Sequence, residues 1–188
     1  MRQLSDRDRE RLRWMQLYLR LPACGVAAYF PDDASCEQRM VELRWPEGMH
    51  CIRCDADRIK TCHTRKTFRC KECAHEFSLK ANTVMFRSRH TIRDWFLAAE
   101  EHITLHAFGQ DHLDTGHSMA DRHCVAYTTA YRLRVKLACE LAHDHSLLLT
   151  SICISELQVP QDVVQNDFDF YVWLLDTCVT QRQMRRQG

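Results

Sequence analysis

Two closely spaced cysteine pairs carry the most specific chemical signal in the sequence. Cys51 and Cys54 form one C-x2-C pair, and Cys70 and Cys73 form a second after fifteen intervening residues. Each pair can present two sulfur atoms from one tight turn, and the intervening residues are enough for a hairpin that brings the turns together. Four thiolates in a tetrahedron, about 2.3 Å from the ion, are what a structural zinc site requires. The spacing therefore predicts one Zn²⁺ bound by Cys51, Cys54, Cys70 and Cys73.

This predicted site is expected to build structure rather than to catalyse a reaction. Four protein ligands leave no open position for a catalytic water. Redox chemistry is the other use of a C-x2-C pair, but thioredoxin-like motifs occur singly in a βαβ context that this sequence lacks. The cysteine-bearing stretch has too little apolar surface to fold alone, so we expect metal affinity to act as folding free energy.

The other cysteines and the histidines show no second motif of comparable specificity. His102 and His106 have the i, i+4 spacing that can bind a metal on a helix face, but they lack the glutamate of an H-E-x-x-H motif. We therefore expect this pair to lie on a solvated helix edge. The seven remaining cysteines are expected to be buried thiols. They are Cys24, Cys36, Cys62, Cys124, Cys139, Cys153 and Cys178.

A second group of chemically useful residues lies on a predicted pair of helices over 118–123 and 127–141. If the second helix packs through Ala130 and Leu133, then Thr128, Arg132 and Lys136 form a stripe on its opposite side. Hydroxyl and guanidinium groups in such a stripe suit the major groove of DNA, where they can reach bases and phosphates. The pattern favours a helix-turn-helix with residues 124–126 as its turn, although a simple helical hairpin would give the same pattern.

The elements that must position these residues are mostly helical. Ser5, Asp32 or Asp33, and Thr91 are typical helix caps ahead of apolar stripes. Short strands are predicted around the cysteine pairs, over 58–63, 66–70 and 75–78, and the apolar run at 146–159 is compatible with either a helix or a strand. The predicted fold class is therefore mostly α with a small β zinc ribbon, followed by a helix-turn-helix-like helical segment. The predicted units are N-terminal helices (1–48), the four-cysteine zinc ribbon (49–80), the DNA-binding helical segment (81–143) and an acidic, aromatic, helical tail (144–188).

Composition and charge exclude several classes of protein. No window of the 188 residues approaches the roughly 18 to 20 apolar residues that a membrane span needs, and the first residues lack the apolar core of a signal peptide. Eleven cysteines, an odd count without an export signal, favour reduced thiols and a cytoplasmic location. The net charge is only +1, but residues 51–95 carry 11 basic and 5 acidic side chains. Contact with a polyanion is therefore expected in this middle region.

These residues together resemble a known family. The runs FPDDASCEQRMVELRWPEGMHCIRCDADRIK, TFRCKECAHEFSLKANTVMFRSRHTIRDWFLA and MADRHCVAYTTAYRLRVKL are similar to the N-terminal half of bacterial insertion-sequence transposases. The resemblance covers about residues 29–140. It implies a transposase-like zinc ribbon with the four cysteines above as ligands, and a DNA-contacting helix. The implied DNA contacts are Tyr127, Thr128, Arg132, Arg134 and Lys136. Cys124 stands where the family usually has glycine, which calls into question how sharply the two helices turn.

The family's DDE nuclease domain is expected to be absent. Such a domain needs well over a hundred residues, whereas 48 follow Glu140 and their acids form no credible metal-binding trio. We therefore expect a zinc-dependent, sequence-specific DNA-binding protein derived from a transposase, acting as a transcriptional regulator and not as an enzyme. Its expected partner is double-stranded DNA, with a homodimer or a transcription-machinery protein as further partners and no membrane. The alternatives are a protein-interaction adaptor acting on transcription machinery, and a truncated transposase that binds element ends without catalysis.

The last helix leaves several roles open. An apolar face that includes Phe170, Trp173 and Leu174 follows the acids Asp162, Asp167 and Asp169. These acids would repel a phosphate backbone, so the segment is expected not to touch DNA. Packing on the protein's own core, self-association and binding of a separate protein are all compatible with the pattern.

Overall fold

Side-chain caps begin three of the long helices in the computed structural model, which describes residues 4–164 and 166–187. Ser5, Asp32 and Thr91 each accept a hydrogen bond from the backbone N–H three residues later, and the side chain at that position bonds back to the cap. These capping boxes satisfy backbone N–H groups that have no partner inside the helix. The caps predicted from the sequence therefore begin the observed helices.

The chain is mostly helical with one small antiparallel sheet, in the strand order β1-β2-β3, and the predicted fold class is confirmed. The helices are α1 (Asp6–Arg20), α2 (Val26–Tyr29), α3 (Asp33–Arg44), α4 (Ile92–Ala107), α5 (Gly116–His123), α6 (Tyr127–Leu141), α7 (Leu147–Ile152) and α8 (Asp167–Gln187). The strands are β1 (Ile59–Cys62), β2 (Thr67–Cys70) and β3 (Glu76–Ser78). Short 3₁₀ turns span His63–Arg65 and Asp111–Leu113. Among the described residues, no helix combines the length and the apolarity needed to cross a bilayer.

The helical core is centred on α4, which contacts α1, α2, α3, α6 and α7. Its fully buried side chains include Trp95, Phe96 and Ile103. Tyr18 and Met15 of α1 are also fully buried. Because α4 is enclosed on several sides, residues on more than one of its faces are shielded from water.

Trp45 joins the cysteine-bearing sheet to the helices. Its ring lies 6.1 Å from the rings of Phe68 on β2 and Phe77 on β3, which are 5.7 Å from each other. The guanidinium of Arg44 lies 4.6 Å from the centre of the Trp45 ring and donates to the carbonyl of Leu79. The small sheet therefore packs on the end of α3 through one aromatic cluster.

The turn between α5 and α6 depends on a left-handed residue. Cys124 has φ 50° and ψ 46°, the conformation that glycine usually supplies at this position. Cysteine in place of glycine therefore does not prevent the turn. The left-handed backbone of Cys124 is strained, because a side chain is unfavourable in this conformation. Met119, Ala130, Leu133 and Leu137 are buried as predicted, and Val125 is partly buried.

The last helix, α8, packs against α1. Leu174 and Cys178 are fully buried, and the Cys178 Sγ lies 3.7 Å from the carbonyl oxygen of Met15. Near its end, Arg185 donates to the carbonyl of Pro22 at 2.7 Å and pairs with Glu100 at 3.1 Å. An apolar stripe and a partly buried arginine thus hold the tail helix on the protein's own core.

Candidate metal centre and nucleic-acid interface

The two cysteine pairs lie in turns with the same backbone geometry. The N–H of Cys51 donates to the carbonyl of Ala56 at 2.9 Å, and the N–H of Cys70 donates to the carbonyl of His75 at 2.9 Å. The residue after each pair, Asp55 or Ala74, has a positive φ of 61° or 56°. The sequence therefore builds one turn twice, and each copy presents two sulfur atoms.

The four sulfur atoms converge on one point. The Sγ atoms of Cys51 and Cys73 are 3.6 Å apart, those of Cys54 and Cys70 are also 3.6 Å apart, and all four lie within 4.8 Å of one another. A tetrahedron with metal–sulfur bonds of about 2.3 Å has edges of about 3.8 Å. The spacing fits a Zn²⁺ ion bound by four cysteines, with no position left for a water.

The local hydrogen bonds favour thiolate at one cysteine and thiol at another. Burial raises the pKa of the Cys51 thiol, but backbone N–H groups, including that of Arg53 at 3.4 Å, and the neighbouring thiols lower the pKa to about 7. The backbone at Ala56 lowers the pKa of Cys54, but the surrounding sulfur atoms and burial raise the pKa to about 12. Four thiolates this close need a cation to offset their mutual repulsion, and a zinc ion supplies that charge.

Four of the five residues predicted to contact DNA are exposed on α6. They are Tyr127, Thr128, Arg132 and Lys136. Thr128, Arg132 and Lys136 lie on the side of the helix opposite the buried core positions. Arg134 is the exception, because its Nε donates to the carbonyl of Asp114 at 2.6 Å and lies 3.6 Å from the Asp114 carboxylate. The structure therefore brings four of the predicted contacts to the surface and directs the fifth toward the loop before α5.

A groove runs between α6 and an irregular segment before α4, and two of its four basic residues, Arg87 and Arg89, were not among the predicted DNA contacts. Arg87 and Arg89 border this groove of about 420 Å³ together with Arg132 and Lys136. Within the described part of the chain, none of these four cations has an ion pair within 4.0 Å. The signal in the sequence is the F-R-S-R run at 86–89, which has no helical or strand period. We call this surface the basic groove.

Two expectations about the other cysteines and the histidines are wrong. Cys24, Cys124 and Cys139 are exposed rather than buried, because each lies at a loop or on the outer face of a helix, and Cys62 at the end of β1 is only partly buried. His102 does not lie on a solvated helix edge but is 3% exposed. The ring of Trp14 on α1 covers it at a centroid distance of 5.3 Å.

Comparison with known proteins identifies the cysteine-bearing segment. Residues 31–76 match the family model described as a transposase zinc-ribbon domain, a segment that includes α3, both cysteine turns, β1 and β2. An uncharacterized protein in transposable element ISH50 of Halobacterium salinarum is 28% identical over 79 residues. The aligned part is 40% of this chain and 27% of that protein, so the chain spans about a quarter of that relative's length. No solved structure matches the chain.

These findings confirm the predicted transposase-like zinc ribbon for residues 31–76. The four cysteines are positioned to bind one metal ion, and Zn²⁺ is the cofactor that their chemistry and the family match support. The bound ion would hold the two turns together.

Proposed function

We propose that this chain is a zinc-dependent, sequence-specific DNA-binding protein derived from a transposase, and that it regulates transcription without catalysing a reaction. The observation that carries the proposal is the exposed side of α6, where Thr128, Arg132 and Lys136 lie on three successive turns of the helix. A helix with this composition can enter the major groove and use its guanidinium and hydroxyl groups on base edges.

The basic groove adds phosphate contacts beside the proposed recognition helix. Arg87 and Arg89 approach α6 from the segment that links the zinc ribbon to α4. Phosphate contacts fix the position of a protein on DNA, whereas base contacts select the sequence. In this proposal Arg87 and Arg89 position the duplex, and α6 reads it.

The aromatic residues at the start of α6 support the same interface. Tyr127 and Tyr131 are 46% and 49% exposed, and their rings are stacked at a centroid distance of 6.2 Å. Exposed tyrosines can donate to phosphates and pack on sugars. By contrast, Arg134 acts in this proposal through Asp114, as a support for α6 instead of a DNA contact.

Binding to the ends of a transposable element is the second candidate function. It is favoured by the similarity to a protein described as belonging to transposable element ISH50. The same face of α6 would bind the ends, without catalysis. A homodimer reading paired half-sites, a transcription-machinery partner and a cytoplasmic location with access to DNA belong to the proposal as well.

Selection of bound duplexes from a random DNA library tests the proposal. The zinc-loaded protein is expected to enrich one sequence motif, and Arg132→Ala is expected to reduce that enrichment. A motif that matches the ends of a transposable element would support the second candidate. Failure to enrich any motif, together with no duplex binding at low salt, would contradict both and favour a protein-interaction adaptor.

A further inference from the structure

Three side chains converge beneath Trp14, at a distance along the chain from the zinc ribbon. His102 and His106 lie one turn apart on α4, and Asp114 directly follows the 3₁₀ turn Asp111–Leu113. His102 and Asp114 are 3% and 4% exposed. The Trp14 ring packs on both imidazoles, at centroid distances of 5.3 Å and 4.8 Å. The fold therefore encloses two imidazoles and one carboxylate that lie up to twelve residues apart in the sequence.

Their polar atoms approach one another closely. His102 Nδ1 lies 2.9 Å from Asp114 Oδ2, and His106 Nε2 lies 3.5 Å from the same oxygen. The two imidazole centroids are 4.3 Å apart. The Nε of Arg134 donates to the Asp114 carbonyl and lies 3.6 Å from Oδ2. Arg134 thus holds the backbone at Asp114 and contacts the edge of the cluster.

Both imidazole–carboxylate contacts lie at ion-pair distance, but their angles do not satisfy the criteria of a hydrogen bond. Among the described residues, His102 Nδ1, His106 Nε2 and Asp114 Oδ1 are buried side-chain atoms without a hydrogen-bond partner. Buried polar atoms are nearly always satisfied, so three unsatisfied atoms in one cluster require an explanation. An ion bound by His102 Nδ1, His106 Nε2 and the Asp114 carboxylate would satisfy the two imidazole nitrogens, because metal ligands face the ion and not each other.

We propose that His102, His106 and Asp114 bind a second Zn²⁺ ion, separate from the ion of the ribbon. Zinc bonds to nitrogen and oxygen of about 2.0 to 2.2 Å give tetrahedral edges of about 3.3 to 3.6 Å. The observed separations of 2.9 Å and 3.5 Å are close to this range, and the three ligand atoms lie within 4.8 Å of one another. Two imidazoles and a carboxylate are a donor set that suits zinc and other borderline divalent ions.

Three protein ligands are one fewer than a tetrahedral Zn²⁺ ion takes, which leaves the fourth position for a water molecule. His106 borders a small cavity of about 80 Å³ that is also lined by Trp14, Gly109 and Asp111. A cavity of this size is large enough for a water molecule. The positive charge of Arg134 opposes a cation, so the affinity is lower than that of four thiolates. A mild chelator therefore removes this second zinc before the zinc of the ribbon.

Metal stoichiometry of the full chain tests the proposal. After equilibration with excess Zn²⁺ and removal of free metal, the parent protein is expected to hold two zinc ions per chain. His106→Ala and Asp114→Asn are each expected to hold one. His112→Ala, an exposed histidine on the adjacent 3₁₀ turn, is the matched control and retains two. One zinc per chain in the parent, or two in a folded His106→Ala protein, would overturn the proposal.

Cobalt binding to the parent protein provides a measurement that needs no variant to fold. Co²⁺ bound by the ribbon gives thiolate-to-metal charge-transfer bands, whereas Co²⁺ bound by nitrogen and oxygen gives only weak ligand-field bands. The proposal predicts that one of two cobalt equivalents adds ligand-field absorption without charge-transfer intensity. A second equivalent that adds thiolate bands would place the ion on other cysteines and overturn the assignment.

Discussion

Arg132 and Arg134 are separated by one residue on α6, but their guanidinium groups have opposite surroundings. Arg134 donates to the carbonyl of Asp114 at 2.6 Å, whereas Arg132 borders the basic groove. One arginine therefore holds α6 to the loop that precedes α5, and the other is available to a partner. The family resemblance alone does not separate these two roles.

This difference predicts separable effects on stability. Arg134→Ala removes the donor to a buried backbone carbonyl and the cation beside a buried carboxylate, which should lower the free energy of unfolding by about 1 to 3 kcal/mol. Arg132→Ala should change it by less than about 0.5 kcal/mol, because the side chain is exposed. Urea denaturation of both zinc-loaded variants measures the difference. Equal losses of stability would contradict the assignment of the two side chains.

Cys124 predicts a stabilising substitution. A left-handed residue other than glycine lowers the free energy of unfolding by about 1 to 2 kcal/mol. Glycine avoids this strain but lowers the free energy of unfolding by about 0.5 to 1 kcal/mol, because it has more freedom to lose when the chain folds. Cys124→Gly should therefore raise the free energy of unfolding by up to about 1 kcal/mol. Ala138→Gly, on the exposed side of α6, is the control and should lower it by about 1 kcal/mol. A lower midpoint of thermal unfolding for Cys124→Gly than for the parent would contradict this prediction. It would show that the cysteine side chain contributes more stability than the strain of the turn removes.

Loss of one ribbon ligand should remove one zinc ion and loosen β2. Cys73→Ser leaves three thiolates, so the two cysteine turns are no longer held together by a complete tetrahedron. Amide hydrogen exchange at Phe68 and Arg69 should accelerate by about tenfold or more, which corresponds to at least about 1.4 kcal/mol of local stability. Cys139→Ser, an exposed thiol on α6, should leave zinc content and exchange unchanged. Full zinc retention by Cys73→Ser would contradict the four-cysteine site.

The packing of α8 on α1 predicts a core role for the tail helix. Leu174 is fully buried, so Leu174→Ala should lower the free energy of unfolding by about 2 to 5 kcal/mol. Val172→Ala is the matched control, because Val172 is 39% exposed on the same helix and should change stability by less than about 0.5 kcal/mol. Chemical denaturation of the two variants decides between a packed helix and one that only mediates association. Similar stability for both would contradict the packed arrangement.

Features with a local physical cause were predictable from the sequence. The caps at Ser5, Asp32 and Thr91 act within four residues, and the two cysteine pairs carry their ligand geometry in their own spacing. The core side of α6 could be predicted from the helical spacing of its apolar residues. By contrast, the apolar run that contains α7 could not be assigned, because a short run without clear period is compatible with helix or strand.

Features that depend on distant packing were missed. Asp114 is eight residues from His106 in a polar stretch, and only its burial near Trp14 of α1 brings the two together. Arg87 and Arg89 lie in a segment whose apolar residues show no helical or strand spacing. Their position beside α6 could therefore not be predicted. The contact between Arg134 and Asp114 could not be predicted either, because the two residues lie twenty positions apart and meet only through packing.

The salt dependence of DNA binding tests the central claim most directly. With a duplex selected by the zinc-loaded protein, log affinity should fall linearly with log salt concentration, since phosphate contacts release counterions. Arg132→Ala should weaken binding by about 1 to 3 kcal/mol, because Arg132 contacts a base in this account. Arg87→Ala should reduce the slope of log affinity against log salt by about 1, because Arg87 contacts a phosphate. Arg9→Ala, an exposed arginine on α1, is the control and should leave both quantities unchanged. Affinity and slope identical to the parent in both groove variants would contradict DNA binding through α6 and the basic groove.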